Sequence, residues 1–426
     1  MTVHKTKKAV PYLLGVSALA FFTAVLVLIL MADTTPTTPE TRRLFGLWRL
    51  SHFAVFATAL LISMGTYAFA RSSDAFLGFV SSFGIILVFF GVLEGVGRTG
   101  IISWDDVLLK SGTKGDAAGW AAVPNQRTTG VTYQDIATRF GLPNDPIPYE
   151  FSTDKHGFRN SSEVAGDVIL LGDSIILGAQ IDKSKTVDAV LEKKSGQPVR
   201  QVALLGISIQ EQHDLLLASK MDLSGRSVVQ FLFEGNDLPD SNSYRNRDNN
   251  AKAQEPYVSS SFLKILWSMA AKVTDPTSGW ESADYCTIAK QRYLFLWTRR
   301  SFDGNMAEVP HIQQSILDFS DAVQQAGGTY FLVFVPTKFR VLNALCEYPD
   351  LSQISDPEQH LSELPEIFSD WSGKSGIPYL DLTRPLTKAA GTGNVPWFWG
   401  DTHWSESGHE SAARALANWR ALFASK

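Results

Sequence analysis

Apolar residues are concentrated in three long runs within the first hundred positions. Residues 13–31 and 75–93 carry no charged side chain, and residues 50–70 carry only His52. Each run has the ~20 residues that a helix needs to cross a bilayer. A single run of this kind is compatible with a buried core helix or, at the N-terminus, with a signal peptide. Three in close succession favour a membrane region with three transmembrane helices over residues 1–98.

After residue 150 the pattern changes to short apolar segments that alternate with amphipathic ones. Five segments predict strands, at residues 167–172, 200–205, 227–234, 329–336 and 378–382. They are apolar throughout, which is typical of parallel strands covered by helices on both faces. Apolar residues at helical spacing, such as Ile312, Ile316, Phe319 and Val323, lie between them. We therefore predict an α/β fold, a three-layer α/β/α sandwich with a mainly parallel sheet.

Two further segments define the predicted domain organisation. Residues 99–150 contain the turn-forming residues Gly, Pro and Asn. They predict a connector between the membrane region and a globular domain at residues 151–426. Within that domain the alternation fails at about residues 238–308, which predicts an insertion. A lid over one edge of a functional site and a small subdomain that only packs are equally compatible with this stretch.

Orientation in the membrane depends on basic residues. Lys5, Lys7 and Lys8 precede the first apolar run and favour a cytoplasmic N-terminus. Three spans then place the globular domain outside the cytoplasm, although the arginines within residues 42–49 oppose this orientation. We expect a multi-pass protein of the cytoplasmic (inner) membrane with a periplasmic domain.

Composition and charge bear on which partners, cofactors and disulfides we expect. Hydrophobic residues make up 45% of the chain and the formal net charge is −5, so no basic face indicates a nucleic-acid partner. Cys286 and Cys346 are the two cysteines. They would pair in an oxidising compartment and stay free in the cytosol, and the sequence leaves both options open. Their spacing resembles no metal site, and we expect neither a metal nor a cofactor.

The first strand of the predicted sheet ends in Gly172-Asp173-Ser174. Parallel strands bring such turns to the carboxyl edge of the sheet, where open α/β folds place their ligands. Ser174 is therefore a candidate nucleophile, provided that a base removes its proton. Taken alone, the triplet is more often an ordinary turn in which Ser or Asp caps a helix.

The candidate base is His403, which lies just before the last predicted helix. Asp401 is close enough in sequence to orient the imidazole and to stabilise its charged form. Trp399 and Trp404 flank the pair and would either stack on sugar rings or belong to the core. Oxyanion donors are offered by the backbone N–H groups of Ser174 and Gly206 and by the side-chain amide of Asn236. Turn chemistry alone explains the last two residues equally well.

Four blocks occur along the chain: Gly172-Asp173-Ser174 after the first strand, the Gly206 loop after the second, Gly235-Asn236-Asp237 after the third, and the late loop with Asp401 and His403. In this order they resemble the SGNH (GDSL) hydrolase superfamily. The resemblance implies a flavodoxin-like fold with Ser174 as nucleophile, His403 as base, and Gly206 and Asn236 as oxyanion donors. The common superfamily pattern places Asp three residues before the His, where this chain has Gly400. The form Asp401-Thr402-His403-Trp404 is instead similar to polysaccharide O-acetyltransferases of alginate and cellulose acetylation. Residues 151–160 also resemble a segment of bacterial membrane-anchored members.

The resemblance implies a serine enzyme that acts on acyl esters, with acetyl transfer to an extracytoplasmic glycan as the leading hypothesis. A transferase would need a polytopic membrane protein to bring the acyl group across the bilayer. A carbohydrate or lipid esterase uses the same residues and differs only in the acceptor. An inactive, membrane-tethered assembly or glycan-binding protein is the alternative from another class.

Overall fold

The computed structural model describes residues 15, 17–23, 25–26, 29–32, 44–45, 47–99, 124–142, 144–160, 166–249, 261–274, 283–296, 306–348 and 361–423. The chain divides into two compact units. The first comprises Met1–Ser111, Phe140–Leu142 and Gln254–Ala283. The second comprises Gly112–Arg139, Pro143–Ala253 and Asp284–Lys426.

The first unit contains two long apolar helices, α1 (Leu50–Arg71) and α2 (Ser73–Arg98), which pack against each other as a hairpin. Ser72 joins them, and its side chain caps α2 by accepting a hydrogen bond from the Ala75 backbone N–H (3.0 Å). Within the described residues, these are the two helices long and apolar enough to cross a membrane. The first predicted span falls partly outside the described residues, and its residues 17–23 are helical.

The second unit is built on a five-stranded parallel sheet in the order β4-β3-β5-β8-β9. All neighbouring strands in it are parallel. Four of the strands lie within the segments predicted from the apolar pattern, and β4 begins one residue before its segment and ends two residues before the end of it. The strands are β3 (Val168–Gly172), β4 (Val199–Ala203), β5 (Ser227–Phe233), β8 (Thr329–Val335) and β9 (Tyr379–Asp381).

Helices cover both faces of this sheet, which confirms the predicted three-layer α/β/α fold. Alternate residues of β3 enter two separate apolar cores, with Val168 and Leu170 in one and Ile169 and Leu171 in the other. The helices of this unit that border the sheet or the site are α4 (Ser174–Leu177), α5 (Val187–Ser195), α6 (Ile209–Ala218), α9 (Val309–Gln325), α10 (Lys338–Leu342), α11 (Leu364–Ser375), α12 (Thr383–Gly391) and α13 (Glu406–Ala417).

The predicted connector contains regular structure. Strands β1 (Arg127–Thr132) and β2 (Ile147–Ser152) pair in antiparallel fashion, and the short helix α3 (Asp135–Phe140) lies between them. The hairpin belongs to the second unit, so ordered structure of that unit begins well before residue 151.

The predicted insertion contains helices α7 (Asp237–Asn249) and α8 (Phe262–Thr274) and the hairpin of β6 (Tyr285–Ile288) and β7 (Gln291–Leu294). A disulfide joins Cys286 on β6 to Cys346, just after α10. Of the two options that the sequence left open, paired or free cysteines, the structure has the pair.

Candidate active site

Three adjacent strands bring the predicted oxyanion residues to one edge of the sheet. Strand β3 lies between β4 and β5, and all three run in the same direction. Ser174 follows the carboxyl end of β3, Gly206 follows that of β4, and Asn236 follows that of β5. This is the edge at which parallel α/β sheets place their ligands.

The turn that carries Ser174 is sterically fixed. Ser174 is the first residue of the one-turn helix α4, and the Asp173 side chain caps it by accepting a hydrogen bond from the Ile175 N–H (2.9 Å). A Cβ atom at Gly172 would lie 2.3 Å from Ile176 Cγ1, so a larger residue does not fit there. Ser174 is half-buried, and its hydroxyl forms no hydrogen bond with the part of the chain that the structure describes.

Residues 151–160, which carry one of the family resemblances in the sequence, support the same turn through Arg159. The buried Arg159 guanidinium donates hydrogen bonds to the backbone carbonyls of Leu177 (3.1 Å), Gly178 (2.5 Å) and Ile181 (2.8 Å). The first of these carbonyls belongs to the last residue of α4, and the other two lie in the loop that follows it. Arg159 therefore fixes the path of the chain immediately after Ser174.

His403 and Asp401 form a close pair. The His403 Nδ1 atom lies 2.6 Å from Asp401 Oδ1, and the His403 backbone N–H donates to the same oxygen (2.9 Å). Gln180 Nε2, six residues beyond Ser174, lies 3.0 Å from His403 Nδ1. The imidazole therefore lies beside the loop that follows α4. Since Asp401 occupies Nδ1, Nε2 is the ring nitrogen left to accept a proton.

The electrostatics of the site distinguish Asp401 from Asp173, the residue before Ser174. Burial raises the pKa of Asp173 to about 6. Burial also opposes ionisation of Asp401, but the His403 ring charge and its hydrogen bonds outweigh it and lower the Asp401 pKa. Asp401 is therefore the carboxylate that orients the imidazole, and Asp173 acts as a helix cap.

The pKa of His403 is raised to about 9. Burial favours the neutral ring, but Asp401 opposes it by charge and hydrogen bonding, and Asp135 and Asp173 add to that effect. Three nearby carboxyl groups thus stabilise the imidazolium that forms when the base takes a proton.

Asp135, which the sequence did not indicate, lies next to the pair. Its backbone N–H donates to Asp401 Oδ2 (3.1 Å), and its carboxylate accepts from the Thr402 N–H (2.8 Å) and hydroxyl (2.5 Å). Asp135 Oδ2 also lies 4.0 Å from His403 Nδ1. Asp135 opens a short helix, as many Asp residues do, so no local signal would have revealed its role.

Lys338 anchors the same loop from the other side. Its buried ammonium donates to the backbone carbonyls of Phe398 (2.7 Å), Trp399 (2.8 Å) and Asp401 (3.3 Å). Burial lowers the pKa of Lys338 to about 7, against the opposing charges of Asp401 and Asp135. Its place directly after β8, at the carboxyl edge of the sheet, is a signal that the sequence interpretation could have used.

Two of the candidate oxyanion donors, Gly206 and Asn236, differ in the contacts that they make. Gly206 has φ +62° and open space around it, so its backbone is unobstructed. The Asn236 amide nitrogen donates one hydrogen bond to Asp240 Oδ2 (2.7 Å), which leaves its second N–H for a ligand. The roles of these two residues stay predictions.

The two tryptophans that flank the pair have different environments. Trp404 is only 1% exposed, lies in the apolar core and meets His409 edge-on, so it does not reach a sugar at the surface. This corrects the stacking role considered for Trp404 and supports the core alternative. Trp399 is half-buried, and its stacking role stays a prediction.

Asp135, Asp401 and His403 are also the one group in the described chain with the spacing of metal ligands. Their ligand-type atoms lie within 4.8 Å of one another. However, His403 Nδ1 is engaged by Asp401, and the Asp135 carboxylate is engaged by Thr402. A cation would have to break these bonds, so the arrangement fits an oriented base better than a metal centre.

Comparisons with known proteins agree with this geometry. Residues 287–421 match the family described as the SGNH hydrolase-like domain of acetyltransferase AlgX. The matched range contains Asp401 and His403, and Ser174 lies before it. No curated protein matches the sequence significantly.

Solved structures with related descriptions were also found. One, from Desulfitobacterium hafniense DCB-2, is assigned to the G-D-S-L lipolytic family (14% identity, 59% of this chain and 97% of that chain, TM-score 0.32). Another, from Slackia heliotrinireducens, is assigned to the SGNH hydrolases (14% identity, 59% of this chain and 96% of that chain, TM-score 0.32). A third is the acetyl xylan esterase AlAXEase (12% identity, 60% of this chain and 98% of that chain, TM-score 0.33). At these TM-scores the likeness adds nothing to the fold described above.

The family match falls on the part of the sheet domain that carries the Asp401–His403 pair. This part of the chain is therefore similar to the SGNH hydrolase-like domain of acetyltransferase AlgX, and the match supports an enzyme of the serine esterase and acetyltransferase class.

Proposed function

We propose that this protein is a membrane-anchored O-acyltransferase that moves an acetyl group through Ser174 to a hydroxyl group of an extracytoplasmic glycan. The observation that carries the proposal is the 2.6 Å contact between His403 Nδ1 and Asp401, held beside the loop that follows Ser174. Such a pair is what a serine hydroxyl needs in order to become a nucleophile.

In the first half-reaction, Ser174 Oγ attacks the carbonyl carbon of the donor ester while its proton moves to His403 Nε2. The N–H groups of Ser174, Gly206 and Asn236 stabilise the oxyanion. When the tetrahedral intermediate collapses, the donor's C–O bond breaks and the leaving oxygen takes the proton from His403. The acyl group is then bound to Ser174 as an ester.

In the second half-reaction, His403 removes the proton of an acceptor hydroxyl, whose oxygen attacks the acyl-enzyme. The ester bond to Ser174 breaks, and the serine oxygen recovers the proton from His403. A sugar hydroxyl gives an acylated glycan, whereas water gives free acid. The outcome depends on which acceptor reaches the acyl-enzyme, so esterase activity is the direct alternative.

The extracytoplasmic location is supported by two observations. Disulfides persist in oxidising compartments, and Cys286 is bonded to Cys346. Helices α1 and α2 are long and apolar enough to anchor the chain, and lysines precede the first apolar run. An acetyl donor made in the cytoplasm would then need a polytopic membrane protein as partner to carry the acyl group across.

The first test uses the full chain in detergent micelles with 4-nitrophenyl acetate as donor. We expect Ser174→Ala to lower kcat/KM by at least ~10³-fold, because without the nucleophile only oxyanion stabilisation and binding remain. Ser152→Ala, which alters an exposed serine on β2, is the matched control and should keep wild-type activity. Equal turnover by Ser174→Ala and the wild type would show that another group attacks the ester.

The second test adds acceptors to the wild-type reaction. Cellohexaose and an oligomannuronate, one neutral and one anionic, are offered together with the donor, and products are weighed by mass spectrometry. Acetylated oligosaccharide that disappears with Ser174→Ala supports the transferase. Acetate as the sole product at saturating acceptor would assign these acceptors no role and would favour the esterase.

A further inference from the structure

Helix α8 has an unexpected place in the molecule. By sequence it lies between β5 and β8, inside the insertion of the sheet domain. By packing it belongs to the first unit, together with the apolar helices α1 and α2. The chain thus leaves the second unit after Ala253 and returns to it at Asp284.

The start of α8 is attached to the end of α2. Glu94, in the last turns of α2, accepts hydrogen bonds from the Ser261 hydroxyl (3.1 Å) and the Leu263 N–H (3.3 Å). The rings of Phe90 and Phe262 lie 6.0 Å apart, centroid to centroid. A carboxylate at the first turn of a helix satisfies its free N–H groups and complements its dipole.

The middle of α8 reaches the beginning of α1. The Trp267 ring lies 5.1 Å from the ring of Phe53, which is in the first turn of α1. Because Ser72 joins α1 and α2 at their other ends, Phe53 and Glu94 both mark the open end of the hairpin. Helix α8 therefore bridges the two helices at that end, where a spanning hairpin meets the membrane surface.

The outer face of α8 is apolar as well. Leu263, Leu266 and Met269 are exposed, while Ile265 and Trp267 are buried. Apolar residues of α1 and α2, such as Phe53 and Val88, are exposed as well. Helices with a large apolar face lie in the headgroup region of bilayers, and Trp is enriched at that depth.

We propose that α8 is an interfacial membrane helix, which lies along the bilayer surface at the open end of the α1–α2 hairpin with Leu263, Leu266 and Met269 inserted among the lipids. The inference rests on the proposed membrane location of α1 and α2. It gives the insertion a function, because the sheet domain is then attached to the membrane at a second point along its chain.

Site-specific labelling of an introduced cysteine tests this directly with the full chain in lipid nanodiscs. Both native cysteines are in the disulfide, so one introduced cysteine is the only free thiol. Leu266→Cys (37% exposed) is labelled with an environment-sensitive nitrobenzoxadiazole dye. Leu217→Cys on α6 (51% exposed) is the matched leucine outside the first unit, and Val88→Cys on α2 (68% exposed) reports the spanning segment.

We expect the Leu266 label to emit at shorter wavelength than the Leu217 label and to be quenched by lipids that carry a spin label near the headgroup. The Val88 label should be quenched best by lipids with the spin label deep in the chain. If the Val88 label is unquenched, the proposed membrane location fails. If the Val88 label is quenched and the Leu266 label behaves like the Leu217 label, the interfacial helix is refuted. A blue-shifted but unquenched Leu266 label would show a protein-covered face and would also refute it.

Discussion

At the scale of residues, the site depends on carboxyl groups with different tasks. Asp401 holds His403 Nδ1 at 2.6 Å, and Asp135 holds Thr402 and lies 4.0 Å from the same ring nitrogen. Both favour the protonated imidazole, against the effect of burial. The neutral ring, which is the form that would accept the Ser174 proton in the proposed mechanism, is therefore populated only as the pH rises toward 9 in the free enzyme.

This predicts a pH profile and a variant that shifts it. For the wild type, kcat/KM should rise with pH through an apparent pKa of about 9. Asp135→Asn removes a charge that stabilises the imidazolium, so the profile should move to lower pH, while the amide oxygen can still accept from Thr402. Asp321→Asn, on the exposed face of α9, removes the same charge far from the ring and should leave the profile in place. A profile unmoved by Asp135→Asn would exclude Asp135 from the electrostatics of the base.

At the scale of elements, the loop that carries Asp401 and His403 is held by segments from distant parts of the chain. Gln134 accepts from the Gly400 N–H (2.7 Å), and the Ala137 N–H donates to the Gly400 carbonyl (2.8 Å). Strand β7 adds a bond from the Leu294 N–H to the Trp399 carbonyl (2.8 Å). Together with the loop's own bridge between Trp397 and Trp404, these neighbours set the position of the base.

Lys338 makes three further hydrogen bonds to this loop, which predicts a specific kinetic defect. Lys338→Met keeps most of the length of the side chain but removes its bonds to three loop carbonyls, of which that of Trp399 keeps the bond from the Leu294 N–H. We expect kcat to fall by roughly 100-fold with little change in KM, because a misplaced base affects the chemical step more than substrate binding. Lys338→Arg should recover part of the activity, and the exposed Lys374→Met on α11 should match the wild type. Wild-type kcat in Lys338→Met would show that the loop holds its position without the ammonium.

The helix that follows this loop shows the limit of local patterns. Ser407 to Glu410 has the spacing of a capping box, which predicts that the last long helix begins there. In the structure α13 begins at Glu406, with Ser405 as its N-cap and no side-chain cap bond. The Ser407 hydroxyl instead donates to the Asn394 carbonyl (2.8 Å). A tertiary contact has overridden the local signal.

At the scale of the whole molecule, the orientation in the membrane decides which substrates are available. In the proposed topology of three spans with a cytoplasmic N-terminus, the turn between α1 and α2 would face the cytoplasm and the sheet domain would face outside. We expect alkaline phosphatase, which is active only outside the cytoplasm, to be active when fused after Lys426 and inactive when fused after Asp74. Green fluorescent protein at the same positions should give the opposite pattern. Reversed signals would place the enzyme in the cytoplasm and favour an intracellular lipid or thioester hydrolase.

The sequence alone determined the elements whose signal is local. Continuous apolar runs specified the five strands and the two described apolar helices, because burial on both faces or in lipid leaves a pattern within a few residues. The order of the motifs along these strands indicated the family, and parallel strands place their carboxyl ends at one edge. Ser174, Asp401 and His403 were proposed on that basis.

Only the tertiary structure decided the contacts between segments far apart in the chain. Asp135 is separated by 267 positions from the residue that it holds, Thr402, and Glu94 by 169 from the backbone N–H of Leu263. Such contacts form because the packed elements bring polar groups together that must be satisfied once buried. No periodicity encodes them, so the clamps on the catalytic loop, the burial of Trp404 and the place of α8 beside the apolar hairpin emerge only from the fold.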